Sequence, residues 1–207
     1  MKNIYYALLL LLCIGCNNID KPREGDIIFQ TVNNERTALL EHLSESPINH
    51  CGIVVIRDSS LYVLHVDQTV TLTPLHTFMR HGEKGEYTLM RATNNPVKID
   101  YKKYMLANYD RQMRMGNNRY YNAELVYDIF KNDLGIELCQ PRPVCEYHID
   151  GIVEILQRCQ IRPDQAIVTP ADIYKSEKLK VYKTQEQANK EKKIKKKQLI
   201  LLILKNM

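Results

Sequence analysis

Three side chains in this sequence suggest chemistry: His50, His65 and Asn122. His50 opens an apolar, β-branched run to Arg57, just after a loop that contains Pro47, and this reads as a strand. His65 falls near the end of the next run, Leu61 to Val66, and the polar Asp58-Ser59-Ser60 between the runs makes the pair a hairpin. Asn122 begins the clearest helix, Asn122 to Leu134, where Leu125, Val126, Ile129, Phe130 and Leu134 recur at helical spacing. A thiol hydrolase places its nucleophile at a helix start, where the dipole and free N–H groups favour a thiolate. It also needs a histidine as base and a third polar group to orient that histidine. Two histidines on adjacent strands facing a helix start supply every part but the nucleophile. Asn122 has no accessible anionic form near neutral pH, although it suits the N-cap position at which it stands. Cys51 beside His50 is no substitute, because neighbouring side chains on a strand point to opposite faces and Cys51 therefore faces the core. His76 and His81 are spaced so that one helix face cannot present both to a metal, and both are expected at the surface.

Elements that could position these residues can be read along the chain. Gly25-Asp26 leads into a strand, Ile27 to Gln30, followed by a short helix, Arg36 to Leu43. After the hairpin, Val70 to Thr73 is extended, Pro74 to His81 suits a short helix stopped by Gly82, and Tyr87 to Arg91 is a further strand. Asp100 to Met113 has helical character, and Arg114 to Arg119 is a loop around Gly116-Asn117-Asn118. Gly135 sits at the C-terminal cap of the Asn122 helix, and Ile149 to Arg158 is one more helix. Antiparallel strands with a helix buried against them define an α+β domain.

The composition fits one such domain with appendages. The 207 residues are 44% hydrophobic and carry a net charge of +5. Residues 183–207 hold eight Lys against Glu186 and Glu191, so the tail is +6 and the remainder is close to neutral. A basic tail on a neutral body argues against nucleic acid as a partner. The tail's charge run, Lys190 to Lys197, and its apolar Leu199 to Leu204 read as a solvated end, or as a segment that helps hold a membrane surface. At the other end, Lys2, the apolar run Ala7 to Leu12 and Gly15-Cys16 form an export signal with cleavage before Cys16 and acylation of its thiol. A plain cleaved signal or a short anchor is the alternative, since Cys13 stands where leucine is usual. Four cysteines then remain: Cys51, Cys139, Cys145 and Cys159. No pair has the CxxC spacing of a zinc or redox site, so no metal or cofactor is expected and the thiols read as free or buried, with a Cys139–Cys145 bridge as the alternative.

The stretches Gly25-Asp26-Ile27-Ile28-Phe29-Gln30, Ser46-Pro47 to Val54, Tyr62-Val63 to Leu75, Tyr109-Asp110 and Tyr121-Asn122-Ala123-Glu124-Leu125-Val126 resemble the YiiX/YaeF-type permuted papain-like (NlpC-type) cysteine peptidases and amidases. The likeness runs from about Glu24 to Tyr174. It implies a circularly permuted papain-like domain, an antiparallel sheet packed on helices, in which the histidine precedes the cysteine. It implies His50 as the catalytic histidine, His65 as the third polar residue and Asn122 at the nucleophile position, with Tyr109, Asp110, Tyr121 and Glu124 as candidates for the cleft wall. The domain divides as signal 1–15, linker 16–23, hydrolase domain 24–182 and basic tail 183–207. The implied partner is a peptidoglycan-derived peptide or an acyl substrate, met at the cell envelope from a lipid anchor on Cys16. Three functions follow from the resemblance: an envelope amidase or peptidase, a pseudoenzyme that binds cell-wall peptide or a partner, and, more remotely, an acyl-lipid acyltransferase.

Overall fold

A computed structural model describes residues 21–93, 95–184, 186–190 and 193–194. The signal segment 1–15, Cys16 and the apolar Leu199 to Leu204 lie outside the described residues. Among the described residues there are eight strands: β1 (Ile27–Gln30), β2 (His50–Arg57), β3 (Ser60–Val66), β4 (Val70–Pro74), β5 (Thr88–Arg91), β6 (Arg142–Pro143), β7 (Ala166–Ile167) and β8 (Lys180–Thr184). The strands are accompanied by α1 (Glu35–Ser44), α2 (Leu75–His81), α3 (Asn122–Asp128), α4 (Val153–Arg158) and α5 (Pro170–Tyr174).

The main sheet has the order β4-β3-β2-β1-β5-β8 with every pairing antiparallel. Period-two alternation divides its side chains between two faces. Ile27, Phe29, Cys51, Ile53, Val55 and Leu64 pack towards α3 in the larger core. Ile28, Val54, Val63 and Leu89 pack on Leu75 and Phe78 of α2. Cys51 is accordingly fully buried, as the alternation requires. The β2–β3 hairpin turns on two residues, Asp58 and Ser59, both at positive φ (48° and 60°), the backbone of a type I′ turn. Gly52 lets these strands lie close: a Cβ there would stand 2.5 Å from Val63 Cγ1 and 2.9 Å from the Leu64 carbonyl.

The α+β class and the antiparallel sheet match the sequence reading, and several elements differ. Asp100 to Met113 is not a helix. It holds one 3₁₀ turn, Tyr101–Lys103, and Leu106 and Met113 take positive φ (67° and 51°). Its amides and carbonyls go elsewhere: Val70 N–H donates to the Ala107 carbonyl at 2.8 Å, and Leu106 N–H donates to the Val70 carbonyl. The Asp110 carboxylate takes the amides of Gln112 and Arg114, a local alternative that Asp readily offers the backbone. The helix from Asn122 is α-helical only to Asp128 and continues as a π-helical turn, Ile129–Asp133, before Gly135 (φ 67°) ends it. Ile149 to Arg158 is helical only over α4. Strand β8 runs across the 182/183 boundary, and Ala188, in the helical residues 186–190, packs in the α2-side core. All four described cysteines are free, so Cys139 and Cys145 form no bridge.

Candidate active site

The site gathers where β2 begins and α3 begins. The loop before His50 is fastened by buried Asn49: its Oδ1 accepts from Val32 N at 2.8 Å, and its Nδ2 donates to the Glu41 carboxylate at 2.7 Å. His50 is thereby presented as the first residue of β2. Asn122 does not cap α3. The N-cap is Tyr121, without a side-chain cap bond, and Asn122 is the first helical residue, with its side chain turned to the strand. Its Nδ2 lies 2.8 Å from His50 Nδ1 and 3.3 Å from the Asn49 carbonyl oxygen.

That geometry fixes the protons. A carbonyl oxygen only accepts, so the amide nitrogen of Asn122 faces Asn49 and donates. The same nitrogen donates to His50 Nδ1, which must therefore be unprotonated, leaving the ring proton on Nε2. Asn122 Oδ1 is buried with no hydrogen-bond partner among the described residues.

His65 and Phe78 complete the cluster. The His50 and His65 rings meet edge to face, with centroids 5.6 Å apart, and Phe78 stacks on His50 at 5.4 Å and abuts His65 at 4.9 Å. His65 was expected to orient His50 through a hydrogen bond. Among the described residues no such bond joins the rings, and His65 Nε2 lies instead 2.8 Å from Thr73 Oγ1. In the β3–β4 register His65 faces Thr71, so Thr73 is its diagonal neighbour on the same face.

Burial holds both imidazoles neutral. The His50 pKa is lowered from 6.5 to about 3, first by burial and then by the charges of His65 and His81. That of His65 is lowered to about 4, again chiefly by burial, with Asp67 opposing. The Cys51 thiol is pushed far up by burial, and its Sγ reaches only the Asn122 carbonyl, at 3.8 Å. It is no nucleophile in this setting.

The two histidines have a consequence for stability. The unfolded chain takes up these protons near pH 6.5, and the folded chain does not until about pH 3–4. Their stabilising contribution is therefore complete above pH 6.5 and is lost as the pH falls towards 4, by up to about 2 kcal/mol per histidine at pH 5. Glu124 runs the other way. Burial raises it to about 8, so its contribution is present below its ordinary 4.5 and is lost as the pH rises through 8. Comparing proteins isolates His65. From pH 7 to pH 5, wild type should lose about 2 kcal/mol more unfolding free energy in urea melts than His65→Gln loses. Parallel losses would show that His65 is not held neutral.

A cleft of about 540 Å³ opens beside the cluster and is lined by His50, His65, Asn122, Tyr109 and Tyr121 among others. Asp110 and Glu124 are not in its wall. Both are buried and organise the preceding loop: Glu124 Oε1 accepts from Gly116 N at 2.8 Å, and Asp110 Oδ2 accepts from Asn117 Nδ2 at 2.8 Å. His81 is exposed, as expected, yet it too lines the cleft, together with Thr73, Phe78, Arg36 and Asp67. Sequence reasoning missed these last four. Thr73 and Phe78 were placed on their elements correctly, and only the antiparallel register brings them to the histidines.

A sheet that carries a histidine at a strand start, against a helix whose first residue meets that histidine, defines the permuted papain-like class. Residues 21–183 match the family described as permuted papain-like amidase enzyme, YaeF/YiiX, C92 family, and the chain belongs to it. It is 27% identical over 158 residues to the uncharacterized protein YiiX of Escherichia coli (strain K12), spanning 73% of this chain and 78% of that one. The fold is similar to the crystal structure of metalloprotein yiiX from Escherichia coli O157:H7, with a TM-score of 0.70 and 23% identity, covering 79% of this chain and 98% of that chain. The metal belongs to the description of that protein. Among the described residues here, no three His, Cys, Asp or Glu side chains are gathered to hold a metal ion, so the donor set is not assembled.

Proposed function

We propose that this chain is an envelope lipoprotein whose permuted papain-like cleft binds a peptidoglycan-derived peptide without cutting it by thiol catalysis. One observation carries the reading: the amide of Asn122 donates to His50 Nδ1 at 2.8 Å. In a thiol hydrolase of this design that nitrogen accepts the proton of the nucleophile. Here the side chain at the nucleophile position occupies the lone pair of the base and offers no ionisable atom in return. The cleft itself persists, with tyrosines at its wall and about 540 Å³ of space. An acyl-lipid substrate on the same fold would require the same missing thiol. Anchoring through acylated Cys16 would hold the cleft beside the cell wall, and the apolar run followed by Gly15-Cys16 supports this placement.

The test is titration of membrane-extracted protein with a peptidoglycan stem tripeptide by calorimetry, followed by mass spectrometry of both components. Saturable binding, an intact tripeptide after prolonged incubation and a diacyl or triacyl adduct on the protein are expected. Cleavage of the tripeptide by the purified protein, whether or not thiol blocking abolishes it, would overturn the pseudoenzyme reading. A soluble, unmodified mature chain would overturn the anchor.

A further inference from the structure

We propose that Arg36 is the specificity-determining residue of this cleft and that it selects ligands carrying a free carboxylate. The inference rests on the peptide-binding reading above and deepens it. Arg36 is the arginine and Asp67 the carboxylate-bearing residue among the described residues of the cleft wall. Around them the wall is uncharged at neutral pH where His50 and His65 line it. The Arg36 guanidinium, with Asp67 on one side of it, is the group a ligand's anion would meet.

The guanidinium is already held in place. Its Nη1 donates to the Asp67 carbonyl oxygen at 2.6 Å and to Asp67 Oδ1 at 3.2 Å. Its plane lies over the Tyr109 ring, 4.9 Å from the centroid. One nitrogen and one face are thus engaged. Among the described residues no hydrogen bond takes Nε or Nη2, the pair of donors that matches a carboxylate in bidentate fashion. Preorganisation of this kind removes part of the entropy that an arginine loses on binding.

The placement is also costly for the fold alone. Arg36 is the second residue of α1, at the positive end of the helix dipole, where a cation is disfavoured. Its pairing with Asp67 is weak compensation, because the two side chains are 42% and 70% exposed. The Asn34 side chain and the Thr37 hydroxyl already complete the cap, so Arg36 is not needed to start the helix. A ligand carboxylate on the open edge would give this strained charge a partner, and Asp67 at the other edge would hold the plane.

The experiment compares two probes on the full mature chain: a synthetic stem tripeptide with free carboxylates, and the same peptide with every carboxylate amidated. Wild type should prefer the acid by tenfold or more, with a preference that shrinks as salt is raised. Arg36→Gln should bind both forms alike, and Arg36→Lys should keep only part of the preference, because a point charge cannot reproduce the fork. Asp67→Asn should retain or strengthen the preference, and matching thermal melts show that the variants fold. Equal binding of the two peptides by wild type, or a preference that persists in Arg36→Gln, overturns the inference and leaves the peptide reading standing. Failure of wild type to bind either peptide overturns both.

Discussion

Asn122→Cys is expected to make the cleft thiol-reactive. The histidine and the helix start are in position, although no hydrogen bond among the described residues joins His65 to His50. Residue 122 lies at the start of α3, and its present side chain reaches His50 Nδ1 at 2.8 Å. A cysteine loses the amide that caps this nitrogen, so His50 recovers a free lone pair directed at the new Sγ. His50 stays neutral at working pH because burial lowers its pKa to about 3, which leaves its lone pair available but makes it a weak base. The same burial opposes charge on both partners, so the thiolate and imidazolium must form together as a pair. Iodoacetamide should label the introduced thiol in the variant and no buried cysteine in the parent. Adding His50→Ala should slow that labelling roughly 10²–10⁴-fold, the usual contribution of a positioned base. Cleavage of the stem peptide is expected to follow. If Asn122→Cys labels no faster than a surface thiol, the assignment of residue 122 to the nucleophile position is wrong. If the parent cuts peptide and Cys51→Ala abolishes that activity, the nucleophile is Cys51.

Local patterns in the sequence carried most of the sheet and the helix under the site. The apolar runs Ile27 to Gln30 and His50 to Arg57 were legible because both strands are central and largely buried on both faces, and β-branched residues are frequent in them. The start of α3 was legible from its apolar stripe, although the π-helical turn after Asp128 was not, since a single extra residue per turn leaves the same residues buried. The Asp100 to Met113 segment misled because its good helix formers sit among residues whose amides are claimed by β4 and by Asp110, and tertiary partners outrank propensity. Strand β8 was hidden by its lysines, which suit an edge strand as well as a tail. Helix α5 was there to be read: Thr169-Pro170-Ala171-Asp172 forms a capping box with proline at the first turn. At the site, His50 and Asn122 could be paired because their motifs resemble those of the permuted papain-like family. The contacts of Thr73, Phe78, Arg36 and Asp67 could not, because each depends on register or on a loop that no local pattern specifies.

Asp26→Ala is expected to cost about 3–5 kcal/mol, the largest loss of stability from any single change outside the hydrophobic core. Asp26 is fully buried on the approach to β1, and four donors converge on its carboxylate. Arg91 of β5 gives two, Nε to Oδ1 at 2.6 Å and Nη2 to Oδ2 at 2.9 Å. The Tyr182 hydroxyl of β8 and the Arg23 amide each reach Oδ2 at 2.7 Å. The Arg91 guanidinium also lies 4.2 Å from the Tyr182 ring centroid. Such a pair contributes little net stability against an apolar replacement of the whole set, since desolvation of both charges offsets their attraction. Removing only the carboxylate is different, because it strands a buried guanidinium and a half-buried phenol together. The loss should be local before it is global. Strand β8 is an edge strand joined to β5, with a register shift between Leu89 and Met90, and Tyr182 is its inward tie. Hydrogen exchange should therefore show the 180–184 amides opening first in Asp26→Ala. Tyr182→Phe, which removes one hydrogen bond and keeps the ring over Arg91, should cost only about 1 kcal/mol. Urea melts and exchange on the three proteins decide the matter. If Asp26→Ala falls within about 1 kcal/mol of wild type, the cluster is solvated and does not hold β8 to the sheet.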